Sequence, residues 1–427
     1  MREMKDSGIE WIGKIPETWL ISQLKRNCKL ITGNTPNTKI SIWFDGDINW
    51  FTPSDFTDSY LLIESKRKLS QKAVDHGVIT LFPADINLLV GIGATAGKVG
   101  YCTKRAYGNQ QVTAICNNCN LLAKYITYYL VIAGHVMFET SMFTTLPILN
   151  NSTIGKFPLL MPPLAEQQAI AEFLDAKCAD IDSLTADIQK QINILKEYKK
   201  SVITQAVTKG LDPNVEMKNT ASPYWNKIPK KWCLSDIKYI FKIVKRIAGK
   251  EGFDILSVTQ KGLKIKDTSR NEGQIAENYK GYQFVYPGDF VMNHMDLLTG
   301  WVDLSKLFGV TSPDYRVFKL RDNIQNEAGY YKYVMQCCYS CRIFYSLGQG
   351  VSTLGRWRLQ TSVFNNFLLP VPPTTEQKAI ADFLDAKCAD IDAAIAGKQK
   401  QLDVLKEYKK SLIYEYVTGK KEVPCRE

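Results

Sequence analysis

The sequence predicts an α/β protein in which two mixed α/β domains are separated by two long helices that form an antiparallel coiled coil. Three observations support this fold class. One segment occurs twice in the chain, at an offset of 210 residues. Each copy carries apolar residues at helical spacing, and the remaining segments contain β-rich runs bounded by turn residues. We therefore expect domains at residues 1–160 and 213–370, and long helices at 161–212 and 371–427.

The repeat is clearest where each helix is predicted to begin. Pro162–Asp182 matches Pro372–Asp392 at most positions, and the match continues to Ser201 and Ser411. A weaker match at an offset of 213 joins Ile-Pro-x-x-Trp at 15–19 to the same motif at 228–232. The order along the chain is therefore variable, repeat, variable, repeat.

Each repeat reads as one long helix. A Pro-Pro pair marks its start, and apolar residues then recur at steps of three and four, from Ile170 in the first copy and Ile380 in the second. Gly210 is expected to stop the first helix. In the second copy, Lys398 interrupts the stripe beside Gly397. We expect the two stripes to bury each other; the alternative is that each helix packs only on its own domain.

The variable segments read as mixed α/β. In the first, short β-rich runs at 43–52 and 78–82 precede a strand–turn–strand at 88–101 and a helix at 121–137. The second has strand-like runs at 255–258, 284–286, 290–293 and 315–320, and a helix at 328–338.

Composition fits a globular protein with a polyanionic partner. Of 427 residues, 45% are hydrophobic and 23% are charged, which excludes wholesale disorder. The net charge of +11 favours nucleic acid, although solvated surface charge gives the same total. A basic stretch near aromatic residues in the second segment could hold phosphates, or could be a solvated loop region. It contains Lys245, Arg246, Lys250, Lys261, Lys264, Lys266 and Arg270.

No signal-peptide core and no apolar run of membrane-spanning length is present, so we expect a cytoplasmic protein without a membrane segment. The 11 cysteines are expected to be reduced. Two CxxC pairs, at 116–119 and 338–341, would need to meet to hold zinc, and with only three histidines we expect no metal site.

The sequence contains only poor matches to motifs of nucleotide-binding and methyltransferase sites. The turn at 93–98 has three residues between its glycines, where a P-loop has four, and Val99 follows Lys98 where a P-loop has Ser or Thr. We expect instead a tight turn that brings backbone close to a ligand or DNA. Neither Pro-Pro pair follows the Asp or Asn of a methyltransferase loop, and Asp175, Asp180 and Asp182 read as solvated helix surface. The sequence indicates a binder and not a catalyst.

These residues resemble the specificity subunit of type I restriction–modification systems. The resemblance covers essentially the whole chain and is strongest at the two Pro-Pro-x-x-Glu-Gln entries into Phe-Leu-Asp helices and at the Ile-Pro-x-x-Trp motifs. First-domain motifs of the family are Gly33–Pro36, Ile48–Asp55, the 94–98 turn and Asn109-Gln110. Ser257–Thr259, Gly262, Gly288-Asp289, Met295-Asp296 and Ser312–Tyr315 look like a different recognition-domain class.

The resemblance implies that each variable segment is a target recognition domain reading one half of a split duplex DNA site. The helices would set the gap between half-sites and dock two methyltransferase subunits and the restriction subunits. The chain itself would be non-catalytic and need no cofactor. S-adenosylmethionine, ATP and Mg would belong to the partners. The rival interpretations are an enzyme with an unrecognised motif and a coiled-coil assembly protein without specific DNA binding.

The candidate residues follow from these interpretations. Predicted DNA contacts are Lys39, Thr52, Lys98, Arg105, Lys245, Arg246, Lys261, Lys264 and Arg270. Predicted subunit-docking residues are Glu166, Gln167, Phe173, Leu174, Glu376, Gln377, Phe383 and Leu384.

Overall fold

The computed structural model describes residues 2–57, 59–140, 147–267, 278–350 and 357–424. The chain forms two compact units. The first unit comprises Met1–Ile188 with Lys400–Glu427, and the second comprises Gln189–Gln399. Each unit therefore contains one variable domain together with parts of both long helices. Within the described residues, no helix combines the length and apolarity that crossing a membrane requires.

The first domain is a set of short strands around one longer helix. Its helices are α1 (Leu24–Asn27), α2 (Gln71–Asp75), α3 (Ala123–Thr140) and α4 (Asn151–Lys156), with 3-10 turns at Ser41–Phe44 and Pro53–Asp55. Its strands are β1 (Met4–Asp6), β2 (Lys14–Pro16), β3 (Leu20–Gln23), β4 (Cys28–Thr32), β5 (Ile48–Phe51), β6 (Lys68–Leu69), β7 (Ile86–Val90), β8 (Val99–Cys102), β9 (Tyr107–Gly108), β10 (Val112–Asn117) and β11 (Pro158–Met161).

A four-stranded antiparallel sheet in the order β4-β10-β7-β8 forms the centre of this domain. All five residues of β7 are buried, as expected for a central strand covered on both faces. The predicted β-run at 43–52 is only partly a strand, because Ser41–Phe44 forms a 3-10 turn before β5. The predicted helix at 121–137 is α3.

The second domain contains the helices α6 (Ile237–Ile240), α7 (Ala328–Ser340), α8 (Ile343–Ser346) and α9 (Thr361–Asn365), which follow the long helix α5 (Leu164–Lys209) in the chain. Its strands are β12 (Met217–Asn219), β13 (Lys227–Pro229), β14 (Cys233–Asp236), β15 (Phe241–Val244), β16 (Leu256–Thr259), β17 (Gly262–Ile265), β18 (Gln283–Val285), β19 (Phe290–Met292), β20 (Val302–Leu304), β21 (Gly309–Thr311), β22 (Arg316–Leu320) and β23 (Leu368–Val371). The second long helix, α10 (Thr374–Val417), completes the chain.

The two domains share one framework. The central sheet of the second has the order β15-β22-β19-β20, which corresponds strand for strand to β4-β10-β7-β8. In both domains a hairpin (β1-β2 or β12-β13) precedes the buried tryptophan, Trp19 or Trp232, and a two-stranded ladder (β3-β11 or β14-β23) leads into the long helix. The hairpin extends the sequence match at offset 213 back to Met4 and Met217. The duplication therefore includes the scaffold of the variable domains.

The first long helix ends at Lys209, where Gly210 is expected to stop it, whereas the second ends at Val417, before the predicted bound at 427. Gly210, with φ +75°, follows α5, and Gly419, with φ +70°, follows α10. A glycine in the left-handed conformation commonly ends an α-helix. Gly397 is exposed and does not break α10, which runs through it without interruption.

In each unit, the apolar residues of both long helices are buried in one core together with residues of the domain. In the first unit, Ile170 and Leu174 of α5 and Ile413 and Val417 of α10 join a core with residues of the first domain. In the second unit, Ala206 and Val207 of α5 and Ile380 and Leu384 of α10 do the same with the second domain. Both packing arrangements considered from the sequence are therefore present, and the predicted α/β architecture with an antiparallel helix pair is confirmed.

Candidate nucleic-acid interface

Two of the four predicted DNA contacts of the first domain, Lys39 and Lys98, lie on loops at one end of its central sheet. The register pairs Thr32 with Thr113, Val90 with Val112 and Leu89 with Val99. The end of β4, the end of β7, the start of β8 and the start of β10 therefore lie together. The loops that leave there are 33–40, 91–98 and 109–111, and they contain Lys39, Lys98 and the Asn109-Gln110 motif.

Hydrogen bonds tie two of these loops to each other. The Thr35 hydroxyl donates to Gln110 Oε1 at 2.5 Å, and the Asn34 backbone amide donates to the Gly108 carbonyl at 2.9 Å. The Asn34 side chain also bonds Val78 and Thr80. Gly33 is required for this approach, because a Cβ there would lie 2.1 Å from the Gly108 oxygen. Two motifs that are 75 residues apart in sequence thus form one polar surface.

The glycine-rich turn at 91–98 uses its glycines for packing within the domain. A Cβ on Gly97 would lie 2.2 Å from the carbonyl oxygen of Gly134 in α3, and a Cβ on Gly134 would lie 2.1 Å from that of Gly97. The turn is also bonded to the segment before α4, through Gly93 N to Pro147 O at 3.1 Å and Leu149 N to Gly91 O at 2.7 Å. The close backbone approach expected from the sequence is therefore made to α3.

The second domain repeats this end of the sheet. The register pairs Val244 with Val317, and Met292 with both Arg316 and Val302. The loop after β15 (245–250), the turn 293–301 and the segment 312–315 therefore lie together. Leu359 N donates to His294 O at 3.0 Å and Leu297 N donates to Trp357 O at 3.2 Å, which reproduces the bonding of the 91–98 turn to 147–149. We call this end of each domain its loop end.

Arg246 is held by its own domain. Its guanidinium donates to both oxygens of Asp289, at 2.5 and 3.2 Å, and lies 4.9 Å from the ring centroid of Tyr286. The Asp289 carboxylate is buried and also accepts from the Tyr286 amide at 2.8 Å. The hydrogen bonds to Asp289 raise the pKa of Arg246. The side chain of Arg246 therefore has a structural role at the loop end, because its charge is already paired with Asp289.

The other predicted cations differ in placement. Lys39, Lys98 and Lys245 are exposed at the loop ends. Lys261 lies in the turn of the β16-β17 hairpin, which the Gln260 amide joins to Thr299 O at 3.5 Å, and Lys264 is exposed on β17. Arg105 follows β8 and so lies at the opposite end of that strand. Arg270 lies outside the described residues.

Thr52 has a local structural contact. It is buried, and its hydroxyl donates to Asp55 Oδ2 at 2.9 Å. Its backbone amide donates to the same oxygen at 2.7 Å, which is the bond that the N3 side chain makes in a capping box. Neighbouring Phe51 O accepts from the Asn109 amide at 3.0 Å, which attaches this turn to the loop end.

The Glu-Gln motif of each long helix anchors that helix to its own domain. Gln167 is 1% exposed; its amide nitrogen donates to Asn120 O and Pro162 O, and its oxygen accepts from Leu122 N. Gln377, also 1% exposed, bonds Gln325 O, Pro372 O and Glu327 N in the same way. Each glutamine thus fastens a helix start to the segment that precedes α3 or α7. Leu174 and Leu384 are fully buried beside them.

Glu166 and Glu376 have different surroundings. Glu166 pairs with Arg2 at 2.6 Å and accepts from Trp19 Nε1 at 2.9 Å. In the second unit the indole nitrogen of Trp232, the counterpart of Trp19, is buried without a hydrogen-bond partner. Val215 stands at offset 213 from Arg2. The first unit therefore has a bonded triad whose arginine is missing from the second.

The Phe-Leu-Asp motif also makes contacts within the chain. Phe173 stacks on Tyr416 with ring centroids 4.5 Å apart, whereas Phe383 is exposed. Asp175 accepts from Lys124 at 2.6 Å and Tyr128 at 2.7 Å. Asp385 accepts from Lys332 at 2.7 Å and from Tyr333 at 2.6 Å. Asp175 lies on the helix surface as expected, with 39% of its side chain exposed, and both motif aspartates also bond a helix of the adjacent domain.

Among the described residues, no group of three or more His, Cys, Asp or Glu side chains is arranged to hold a metal ion. The ten cysteines within the described ranges are free thiols, and burial raises the pKa of Cys28 to about 12. Burial and two nearby arginines lower the pKa of His294 to about 3, so this imidazole is neutral at physiological pH.

Sequence reasoning missed the residues that support the loop ends, among them Asn34, Gln283, His294 and Arg316. Gln283 is 2% exposed and donates to Ser312 O and Tyr315 O, which fixes the segment before β22. Arg316 carried a usable signal, because it stands in the β-rich run 315–320 where the other residues are mostly apolar.

Comparisons with known proteins agree with this arrangement. The family described as "Type I restriction modification DNA specificity domain" matches residues 16–194. The type I restriction enzyme MjaIX specificity subunit of Methanocaldococcus jannaschii is 31% identical over 191 residues, which are 44% of this chain and 43% of that protein. The match thus spans less than half of that relative. The MjaVIII specificity subunit of the same organism is 24% identical, over 95% of this chain and 94% of its own length.

A solved structure shows the same fold. It comes from work on the structural basis of complex assembly and conformational transition of the type I R-M system. It has a TM-score of 0.67 at 12% identity, over 94% of this chain and 98% of its own. The names of the relatives agree with a non-catalytic recognition component. Residues 16–194 thus match the type I restriction modification DNA specificity domain, and over 95% of its length the chain is similar to a type I specificity subunit.

Proposed function

We propose that this chain recognises a bipartite site on duplex DNA, with each domain reading one half-site from its loop end. The observation that carries the proposal is the repetition of one framework, with the same loop end, under two different sets of loop side chains. A shared scaffold with divergent loops suits two modules that bind the same kind of polymer and read different sequences.

The loop ends provide both kinds of contact that DNA recognition needs. Exposed Lys39, Lys98 and Lys245 would bind phosphates and position the domain. Gln110, exposed and held by Thr35, is a side chain type that pairs with adenine through a bidentate contact in the major groove. Phosphate contacts would supply affinity, and such base contacts would supply sequence preference.

The antiparallel helices would set the distance between the half-sites and carry the partner subunits. The predicted docking residues Gln167, Leu174, Gln377 and Leu384 are buried in their own units, so they support this role by fixing the helices. An exposed apolar pair at equivalent positions of the two copies is better placed for a partner. Ile194 and Tyr198 are 58% and 47% exposed, and Val404 and Tyr408 are 60% and 55% exposed.

We propose that two methyltransferase subunits dock on these two pairs, one subunit on each. Exposed apolar residues that recur at the same offset as the duplication fit two copies of one partner. Ile194→Ser with Tyr198→Ser should remove one subunit from the complex in native mass spectrometry, and adding Val404→Ser with Tyr408→Ser should remove both. Leu184→Ser is the matched control, because Leu184 is 48% exposed but its counterpart is Ala394. Full assembly of the quadruple variant would contradict the proposal.

The chemistry of the system would belong to the partners. Methyltransferase subunits would use S-adenosylmethionine, and restriction subunits would use ATP and Mg, while this chain would take no cofactor. Purified chain that methylates or cleaves DNA alone would contradict this division.

The experiment that tests the recognition role is an exchange of residues 1–160 for those of another specificity subunit, followed by methylome sequencing of cells that carry the complex. We expect one half-site of the methylated motif to change and the other to stay. The second candidate, a coiled-coil assembly protein without specific DNA binding, predicts no sequence preference in either form.

A further inference from the structure

A buried arginine lies at the loop end of the second domain. Arg316 on β22 is 4% exposed, and its Nη2 donates to Leu359 O at 3.1 Å and to Thr361 Oγ1 at 3.2 Å. The guanidinium lies 4.4 Å from the ring centroid of Phe364. Both acceptors are neutral, so the described hydrogen bonds leave the charge without an anionic partner.

A neighbouring buried side chain also has a nitrogen without a partner. The Nη1 atom of Arg316 and the Nδ1 atom of His294 are both buried without hydrogen-bond partners. His294 is 7% exposed, and its backbone oxygen accepts from Leu359, whose own oxygen accepts from Arg316. Buried polar atoms are rarely left unbonded, because each such atom loses its hydrogen bond to water without a replacement. The described contacts therefore leave these two buried nitrogen atoms unbonded.

The first domain shows that the shared framework does not require this cluster. Its position equivalent to Arg316 is Thr113, whose hydroxyl bonds Asn151 at 3.2 Å and lies 3.4 Å from the Thr32 hydroxyl. The position equivalent to His294 is Gly91, whose oxygen accepts from Leu149. The same scaffold position thus holds a small, hydrogen-bonded threonine in one domain and an arginine with an unbonded Nη1 atom in the other.

We propose that Arg316, with His294 and the exposed Arg358, binds one phosphate group of the DNA backbone beside the second half-site. This inference rests on the proposed function and adds a named backbone contact to it. A phosphate supplies anionic oxygens to the free Nη1 atom, and Arg358 extends the positive charge to the surface. Bidentate reading of guanine is excluded, because Nη2 is already used by Leu359 and Thr361.

The test measures binding of the full-length chain to a random-sequence duplex as a function of KCl concentration, by fluorescence anisotropy. Loss of one phosphate contact lowers the slope of log K against log salt by about 0.9. We expect this decrease in Arg316→Met and in Arg358→Met, with an affinity loss of several-fold that is similar for all sequences. Arg316→Lys keeps the charge and should retain most of the slope. Lys378→Met removes an exposed charge from α10 and is the control.

Three outcomes separate the possibilities. An unchanged slope in both arginine variants would overturn the proposal and leave an enclosed water as the partner of Nη1. If Arg316→Met fails to fold, as judged by its denaturation curve, the exposed Arg358→Met carries the test by itself. A wild-type chain that binds no duplex would instead contradict the proposed function.

Discussion

Lys199 on α5 forms an ion pair with Asp392 on α10, with Nζ 2.6 Å from the carboxylate. The first unit contains the same pair made by the opposite copies, because Lys409 lies 2.7 Å from Asp182. Each of these four residues is related to its counterpart by the offset of 210. One lysine and one aspartate of the ancestral repeat thus supply the interhelical ion pair of both units.

These ion pairs are expected to select the antiparallel register more than to stabilise the helices. The aspartates are more than half exposed, and exposed pairs contribute about 0.2–1 kcal/mol. A double-mutant cycle of Lys199→Met and Asp392→Asn should give a coupling free energy within that range in urea denaturation. Lys196→Met, which changes an exposed lysine of the same helix, should lie within about 0.5 kcal/mol of wild type. A coupling of several kcal/mol would contradict this view.

The Glu-Gln motif should be a stability element. Gln167→Leu would leave two backbone oxygens and one amide unbonded in a buried site, and each costs about 1–3 kcal/mol. We expect the free energy of unfolding of the first unit to fall by about 3 kcal/mol or more. Gln168→Leu is the matched control, since Gln168 is exposed and bonds only Glu172 among the described contacts. Equal effects of the two substitutions would disprove the anchoring role.

The architecture could be predicted from the repeat and from the helical periodicity, because both patterns are visible in the sequence without knowledge of any contact. The two long helices, the glycine stop at 210 and the α/β class all follow from them. The support of the loop ends depends on contacts between distant segments, such as Gly97 with Gly134 or Gln283 with Tyr315, which periodicity does not encode. The motif glutamines illustrate the limit: the sequence marked Gln167 as important but not that its partners are backbone groups of its own domain.

Substitutions of Arg246 and Lys245 should distinguish a charge that stabilises the fold from a charge that contacts DNA. Arg246→Met would leave the buried Asp289 carboxylate without its cation, so we expect the second unit to lose about 1–3 kcal/mol of stability. Lys245→Met should leave stability within about 0.5 kcal/mol of wild type and lower the salt slope of duplex binding by about 0.9. Urea denaturation and anisotropy measure the two effects. A stable Arg246→Met variant would show that Asp289 does not need its partner.

His294 should make the second unit sensitive to acid. Its pKa is lowered to about 3 in the folded chain and is about 6.5 when unfolded, so the unfolded state binds the extra proton between these values. The contribution of His294 is complete above pH 6.5 and is lost as the pH falls towards 3. From pH 7 to 5, wild type should lose about 2 kcal/mol more than His294→Asn. Identical pH profiles would show that His294 is not buried in its neutral form.

If the helices set the half-site spacing, lengthening both together should change the spacing alone. Seven residues inserted after Lys190 and seven after its counterpart Lys400 add about 10.5 Å at 1.5 Å per residue and nearly preserve the apolar stripe. At about 3.4 Å per base pair, the gap in the methylated motif should grow by about three base pairs, with both half-sites unchanged in methylome sequencing. The control is the same insertion in α5 only, which would misalign Lys199 with Asp392 and should abolish site-specific methylation. Altered half-site sequences in the doubly lengthened chain would refute the spacing role, because they would mean that the helices shape the reading surface itself.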